Sequence, residues 1–467
     1  MIQKGTLIFS LAYLFVAAFI IWYFDGTADA GDSVKHYLVA HSAFDHPHLF
    51  FFHWGKPVFT LLAAPFARFG FDGMKCFNVL VTLLTLLCSL QVVRRLGYSN
   101  AWLAPFLLLS APFHLIVIFS GLTEPLFALF MVGALYLALC REQWAWAVIL
   151  LSFMPFVRSE GMIICGVFGL YLMWKGRWSL LPLFALGHVI YIFAGGLVTG
   201  NYLWIINENP YAAMHRYLEA EAHLFDFAER LTYVIGIPLY GLLVLGLLSF
   251  LWKPYNASFK LWLEELWLIV GCFAAFFTAH TLFWYLGIFN SMGLKRVLIG
   301  VLPLIGILAL RGFNFVQHLT ESQPLLRRFL FFGILAYTFI FPFTSNPAAL
   351  GGAQAMRLLP EQRTAVEVAD FIRQSNVVGE ETTLYYTHPS LSMPLGVDHF
   401  DPAVRRDLDD LHRQAPRLSD LIIWDSWYGV VDSKWELDAL TTSYDLESIG
   451  QFESTHHRYV LLKMKKN

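Results

Sequence analysis

Seven charged residues interrupt otherwise apolar stretches of this sequence: Asp29 and Asp32 in TADAGDSVKHY, Glu124 in GLTEPLF, Arg158 and Glu160 in FVRSEG, and Lys295 and Arg296 in GLKRVLIGVLP. A carboxylate at the edge of an apolar region can act as a general base toward a hydroxyl nucleophile. Asp32 suits that role, with Asp29 three residues earlier as an orienting partner; the plainer role for Asp32 is a helix N-cap. Arg158, Lys295 and Arg296 are candidates to clamp an anionic phosphate, which suits arginine in particular; their plainer role is interfacial anchoring. Arg158 and Glu160 are two apart and cannot pair on one helix face. His53 and Lys56, in FFHWGKP, together with Glu124 and Glu160, are candidates to bind a sugar or polar acceptor. An amphipathic helix edge is the equal alternative for the first two. No metal is expected, because His41, His46 and His48 lack a zinc-ligand pattern and the acidic pair is not a D-x-D motif.

These residues need elements to hold them, and the composition says what kind. Of 467 residues, 57% are hydrophobic and 14% charged, with a mean hydropathy of +0.56. A soluble chain carries about 25% charged residues, and so large an apolar surplus cannot be hidden in a water-soluble core. The net charge of −2 gives no support for a nucleic-acid binder, whose footprint would be basic. The charges are unevenly spread: residues 1–349 carry 36 and residues 350–467 carry 30. The expected organisation is therefore a membrane part, 1–345, followed by a soluble α/β domain, 350–467. Asn346-Pro347 and Gly351-Gly352 mark the junction. All five cysteines fall in the apolar part and read as small buried hydrophobes.

A membrane span takes about 20 apolar residues. Eleven are expected, near 6–24, 75–93, 101–118, 121–140, 144–157, 161–174, 179–199, 231–252, 262–284, 294–310 and 328–343. The first reads as an uncleaved anchor rather than a signal peptide, since its apolar stretch exceeds the usual length of about 7–15 residues. Basic residues in the short loops, including Arg94, Arg95, Arg141, Lys175, Arg177, Lys253, Lys260, Arg311, Arg327 and Arg328, place those loops inside. The soluble domain then lies outside, in a bacterial periplasm or an ER lumen. Two outer segments are long, 25–74 and 200–230; the first is polar and then amphipathic, suited to helices lying in the interface. On this topology all seven odd charges gather at the outer face, although they come from distant parts of the chain.

In this order the motifs resemble the GT-C glycosyltransferases that use a polyprenyl-phosphate sugar, including the dolichyl-phosphate-mannose-dependent mannosyltransferases. The likeness rests on the early acidic residue Asp32, the stretch HWGKPVFTLL, Thr123-Glu124-Pro125, Arg158-Ser159-Glu160-Gly161, and Lys295-Arg296 before VLIGVLPL. It implies an inverting transfer with Asp32 as base and Arg296 on the leaving phosphate, assisted by Lys295 or Arg158. The partners it implies are a polyprenyl-phosphate sugar donor, with mannose favoured, and a glycan, lipid or protein acceptor, among membrane lipids and without a cofactor. Gly31 stands before Asp32 where many relatives have a second acid, which leaves the roles of Asp29 and Asp32 open. The main alternative is a transporter or lipid flippase, but those place polar residues near the midplane, often within internal repeats, and no such repeat is visible here.

In the soluble part, TAVEVADFIRQ reads as a helix, TTLYYTH and SDLIIWDSW as strands, and DLESIGQF with HRYVLLKMK as an antiparallel pair. Asp425, at a strand end, is either a ligand or a turn residue.

Overall fold

The computed structural model describes residues 4–209, 221–252, 258–289, 291–350, 356–379, 381–455 and 457–465. Gly351-Gly352, Lys253 and the middle of the 200–230 segment lie outside them. The protein is helical through its first three quarters and ends in a small sheet. The elements that matter for the site are α1 (Lys4–Tyr23), α2 (Asp32–Ser42), α3 (Pro57–Ala67), α4 (Gly70–Arg95), α5 (Ala104–Leu109), α6 (Pro112–Val117), α7 (Glu124–Leu135), α8 (Trp144–Ser152) and α9 (Gly161–Trp174). They are followed by α10 (Leu186–Thr199), α11 (Trp204–Asn207), α12 (Asp226–Leu248), α13 (Phe259–Glu265), α14 (Gly271–Leu286), α15 (Leu302–Leu319), α16 (Pro324–Ile340) and α17 (Pro360–Ser375).

Seven helical stretches among the described residues are long and apolar enough to cross a membrane; the helices at 57–67, 124–140, 144–156 and 161–174 are apolar but shorter. The protein is an integral membrane protein. Its helices divide by what surrounds them. Ala17 is the single buried residue of α1, so its apolar surface faces outward, as lipid contact requires. The Lys295–Leu319 stretch is enclosed almost entirely by its neighbours and forms the centre of the bundle.

Two expectations are corrected here. Residues 101–118 do not form one helix. The chain breaks between α5 and α6, where Ala111 is extended ahead of Pro112; proline disfavours the helical region for the residue before it and has no N–H to continue the ladder. Arg311, expected in an inner loop, is instead buried within α15. Its Nη1 binds Glu265 Oε2 at 2.8 Å and its Nε donates to Ser249 Oγ at 2.7 Å, while the Tyr98 hydroxyl donates to Glu265 Oε1. A buried cation must be paired, and this set ties α12, α13 and α15 together.

Glu124 is positioned by the loop 120–123 that precedes α7. The Asn78 amide, fully buried on α4, donates to Ser120 O at 2.7 Å and Leu122 O at 3.0 Å. Gly121 N donates to Ser33 Oγ at 2.7 Å, and a methyl on Gly121 would stand 2.2 Å from Ser33 O. Only glycine allows that approach, which brings α2 against the start of α7.

The sheet has the order β2-β1-β3-β5-β4, with β1 (Leu384–Tyr385), β2 (Arg405–Arg406), β3 (Leu421–Asp425), β4 (Leu446–Glu453) and β5 (Arg458–Met464). β1 runs parallel to β2 and β3, and β5 runs antiparallel to β3 and β4, with an irregularity between Ser448 and Gly450. Apolar residues cover both faces: Ile423 and Leu461 pack against α17 on one, Ile422 and Leu462 against Trp424 and Trp435 on the other.

This sheet domain rests on the segment that follows α1. Gln362 Nε2 donates to Thr27 Oγ1 at 2.8 Å, Ser390 Oγ to Ala30 O at 2.7 Å and Gly26 N to Met356 O at 2.8 Å. His46 Nε2 lies 2.7 Å from Asp398 Oδ2, and Lys35 Nζ 2.7 Å from His399 Nε2. Ammonium can only donate, so His399 Nε2 accepts and its Nδ1–H is left to donate to Ser392 Oγ at 2.7 Å. Burial, with Arg405 nearby, pulls the Lys35 ammonium down to about 8 against the pull of Asp407 and Asp432.

Replacing Asn78 by Ala leaves two buried carbonyls unpaired and should destabilise the protein by about 1–3 kcal/mol. Thermal unfolding in detergent checks this; an unchanged midpoint would show that the 120–123 loop is held by other contacts.

Candidate active site

The site is a chain of alternating charges. Asp29 comes from the loop before α2, Asp32 from the first position of α2, Glu124 from the start of α7, Arg158 and Glu160 from the turn before α9, and Arg296 from the short 3-10 turn Lys295–Val301 that leads into α15. Arg296 Nη1 lies 3.1 Å from Asp29 Oδ2, its Nη2 pairs with Asp32 Oδ2, and its Nε lies 3.4 Å from Glu124 Oε1. The same Glu124 oxygen accepts from Arg158 Nη1 at 2.7 Å, and Arg158 Nη2 donates to Glu160 Oε1 at 2.8 Å. Thr123 Oγ1 accepts from Arg158 Nη1 at 3.1 Å. His280 Nε2, on α14, stands 3.9 Å from Glu160 Oε1.

Exposure grades along the chain. The Glu124 side chain is fully buried, whereas Asp29 is 32% and Asp32 40% exposed. Charges this deep persist only when paired, and here each guanidinium is shared between carboxylates. The open end, where a substrate could arrive, is therefore the Asp29–Asp32 end.

Arg158 and Glu160 do pair, contrary to the helix-face expectation, because residues 157–160 lie in a turn rather than on a helix. Asp32 is the first residue of α2 rather than its cap; the capping is done by Asp29, whose Oδ1 accepts from Gly31 N at 2.9 Å and Ser33 N at 3.1 Å. Lys56 caps α3 with a left-handed backbone (φ 63°), is buried, and interacts electrostatically with Glu160. His53 lies beside Trp204, ring centroids 6.3 Å apart, and feels the Lys56 charge. Lys295 points elsewhere: its Nζ lies over Phe113 at 5.0 Å and Tyr233 at 5.7 Å, near Arg230. Asp425 is a turn residue, its Oδ1 accepting from Trp427 N at 3.1 Å and Tyr428 N at 2.7 Å. Among the described residues no three His, Cys, Asp or Glu side chains are set to hold a metal ion.

That turn delivers a residue that sequence reasoning missed. Tyr428 comes down from the sheet domain so close to the start of α2 that a methyl on Gly31 would stand 2.2 Å from its hydroxyl oxygen. It faces the charges of Asp29 and Arg296, and burial pushes its phenol upward, so it stays a proton donor. His388 packs on it, ring centroids 4.7 Å apart. Nothing local in IIWDSWYG signals this, because the partner residues lie about 400 positions away in the chain.

No family model and no curated protein matches the sequence. Solved structures do match in fold. The crystal structure of ArnT from Cupriavidus metallidurans bound to undecaprenyl phosphate aligns with a TM-score of 0.66 at 14% identity, covering 98% of each chain. The apo structure of the same protein aligns with a TM-score of 0.65 at 13% identity, covering 99% of this chain and 98% of that one. The chain thus has the GT-C fold of ArnT along its whole length, sheet domain included.

Two outcomes follow from the contact between the parts. Gly31→Ala should cost about 1–3 kcal/mol through the clash with the Tyr428 hydroxyl, and Tyr428→Phe in the same chain should restore most of it; a double-mutant cycle on thermal unfolding that shows additivity would contradict the contact. Burial holds His388 down to about 4, opposed by Asp425, whereas the unfolded chain titrates near the ordinary 6.5. Between those values the unfolded state binds more protons, so the stability contributed above pH 6.5 should drain away as pH falls toward 4. His388→Asn should flatten that slope in pH-dependent unfolding.

Proposed function

We propose that this protein is an inverting membrane glycosyltransferase that moves a sugar from a polyprenyl-phosphate donor to a hydroxyl of a glycan, lipid or protein acceptor. The observation that carries the reading is the pair Asp29–Asp32 held against Arg296 at the exposed end of a buried charge network, within a GT-C fold. The bound ligand of ArnT, undecaprenyl phosphate, supports the polyprenyl donor by analogy. Mannose is the favoured sugar on the family resemblance alone. The outer side is the working face, periplasmic in a bacterium, with residues 1–345 as the membrane catalytic part and 350–467 as the domain above it.

In the reaction Asp32 takes the proton of the acceptor hydroxyl while that oxygen attacks the anomeric carbon. The bond from that carbon to the phosphate oxygen breaks with inversion, and polyprenyl phosphate leaves with the electron pair. Asp32 fits the base better than Asp29, being more exposed, whereas Asp29 is engaged by two backbone N–H groups as well as Arg296. Asp29 then orients Arg296. Arg296 neutralises charge on the leaving phosphate, and Arg158 sets the position of Glu124 behind it. Positioning and charge stabilisation carry most of the acceleration in such a transfer.

Membranes containing the protein, supplied with radiolabelled polyprenyl-phosphate sugars, should transfer label to an acceptor. Asp32→Asn should lower the rate by about 10²–10⁴-fold with expression and unfolding unchanged. Full activity of that variant would remove Asp32 as base, and transport of the lipid without transfer would favour the flippase.

A further inference from the structure

Ala28 has a left-handed backbone (φ 67°) one residue before Asp29. A residue with a Cβ is disfavoured in that conformation and persists there only where its surroundings hold it. The sheet domain holds the chain on both sides of Ala28. Before it, Gly26 N donates to Met356 O at 2.8 Å and Gln362 Nε2 donates to Thr27 Oγ1 at 2.8 Å. After it, Ser390 Oγ donates to Ala30 O at 2.7 Å, and the Tyr428 hydroxyl oxygen stands against Gly31. Gln362 Nε2 also reaches Ser390 Oγ at 3.4 Å, so these two side chains grip the turn together. Thr27, Ala30, Gln362 and Ser390 are all buried, where water does not compete for such bonds.

The gripped turn is the one that carries the aspartates. Thr27 Oγ1 passes the contact on by donating to Asp29 O at 2.9 Å, and Asp29 Oδ1 in turn accepts from Gly31 N and Ser33 N. Release of Ala28 to an ordinary backbone conformation would rotate the chain just before Asp29. The pairs that Asp29 and Asp32 make with Arg296 would go with it. Attachment of the sheet domain is served elsewhere as well, by Lys35 with His399 and His46 with Asp398. The contacts at 26–31 differ from those in surrounding the one strained residue next to the site.

We propose that Ser390 and Gln362 of the sheet domain are positioning residues for the transfer: they hold Ala28 left-handed and thereby set Asp29 and Asp32 against Arg296. This rests on the glycosyltransfer reading above.

Ser390→Ala is the cleaner variant, because Gln362 Oε1 also accepts from Leu359 N at 3.1 Å and caps its own helix. The full-length protein in membranes is supplied with radiolabelled undecaprenyl-phosphate mannose or undecaprenyl-phosphate glucose. Ser390→Ala should lower kcat about tenfold, the value of one hydrogen bond, with KM for the donor within about twofold of wild type. Adding Ala28→Gly should bring kcat back to within about threefold, because glycine adopts positive φ without the Cβ penalty. Hydrogen–deuterium exchange of the same chains in lipid nanodiscs should quicken over 27–33 in Ser390→Ala and stay unchanged in α4, which reports correct folding. Unchanged exchange over 27–33, or a wild-type kcat beside a lowered unfolding midpoint, would overturn the positioning role. So would a raised KM with kcat intact, the mark of a ligand contact, or a double variant no faster than Ser390→Ala. Wild-type protein that transfers from neither donor would overturn the glycosyltransfer reading and any role in transfer with it, while the exchange data still decide separately whether Ser390 holds the turn.

Discussion

A guanidinium group buried among helices must have carboxylates around it, and Arg296 has three, drawn from two separate stretches of chain. The rest of the architecture serves that requirement. Asp29 and Asp32 reach Arg296 because α2 turns back immediately after α1, with Asp29 holding the turn through its own backbone contacts. Glu124 reaches it because Asn78 and Ser33 grip the loop before α7. Glu124 is then shared with Arg158, which carries the pairing on to Glu160. Removing Arg158, the cation between Glu124 and Glu160, would leave charge in a place of low dielectric, where an unpaired ion is most costly.

The network is graded as well as closed. Its inner members are sealed by packing, while the aspartates at its outer end remain partly open to solvent. That asymmetry separates two tasks that a single exposed cluster would confuse. Buried pairs fix geometry, and the aspartates paired with Arg296 at the other end are the members that solvent still reaches. A second paired arginine, Arg311 of α15 with Glu265 of α13, is sealed completely and ties helices together.

The sheet domain closes the outer end from above. Its contacts with residues 25–46 combine hydrogen bonds and ion pairs with the packing of Phe400 on the cluster of Val39 and Ala43, so the two parts meet through specific geometry. Tyr428 and His388 come with it, and the phenol stands over the turn that carries the aspartates. The turn that carries Asp29 and Asp32 is therefore bordered by groups from both parts of the chain.

Much of this was legible in the residues themselves. Charge density separated the apolar three quarters from the remainder, because lipid tolerates few charges and water requires many. Six of the seven charges that broke the apolar runs are gathered by the fold, since an ion in such a setting persists only with a partner. Strand and helix patterns in the last 118 residues were readable from period alone, β4 and β5 among them. What the residues did not disclose was who meets whom. That Arg158 pairs with its near neighbour Glu160 depends on the turn between two helices, and that Lys295 leaves the cluster for Phe113 depends on the winding of a 3-10 turn. Tyr428 and His388 carried no mark in sequence, because an aromatic or an imidazole is unremarkable until packing denies it water. Composition and spacing determined the environment and the kinds of groups available; only the tertiary structure decided the pairings, because pairing is set by distance in space, and residues 31 and 428 are neighbours only in the fold.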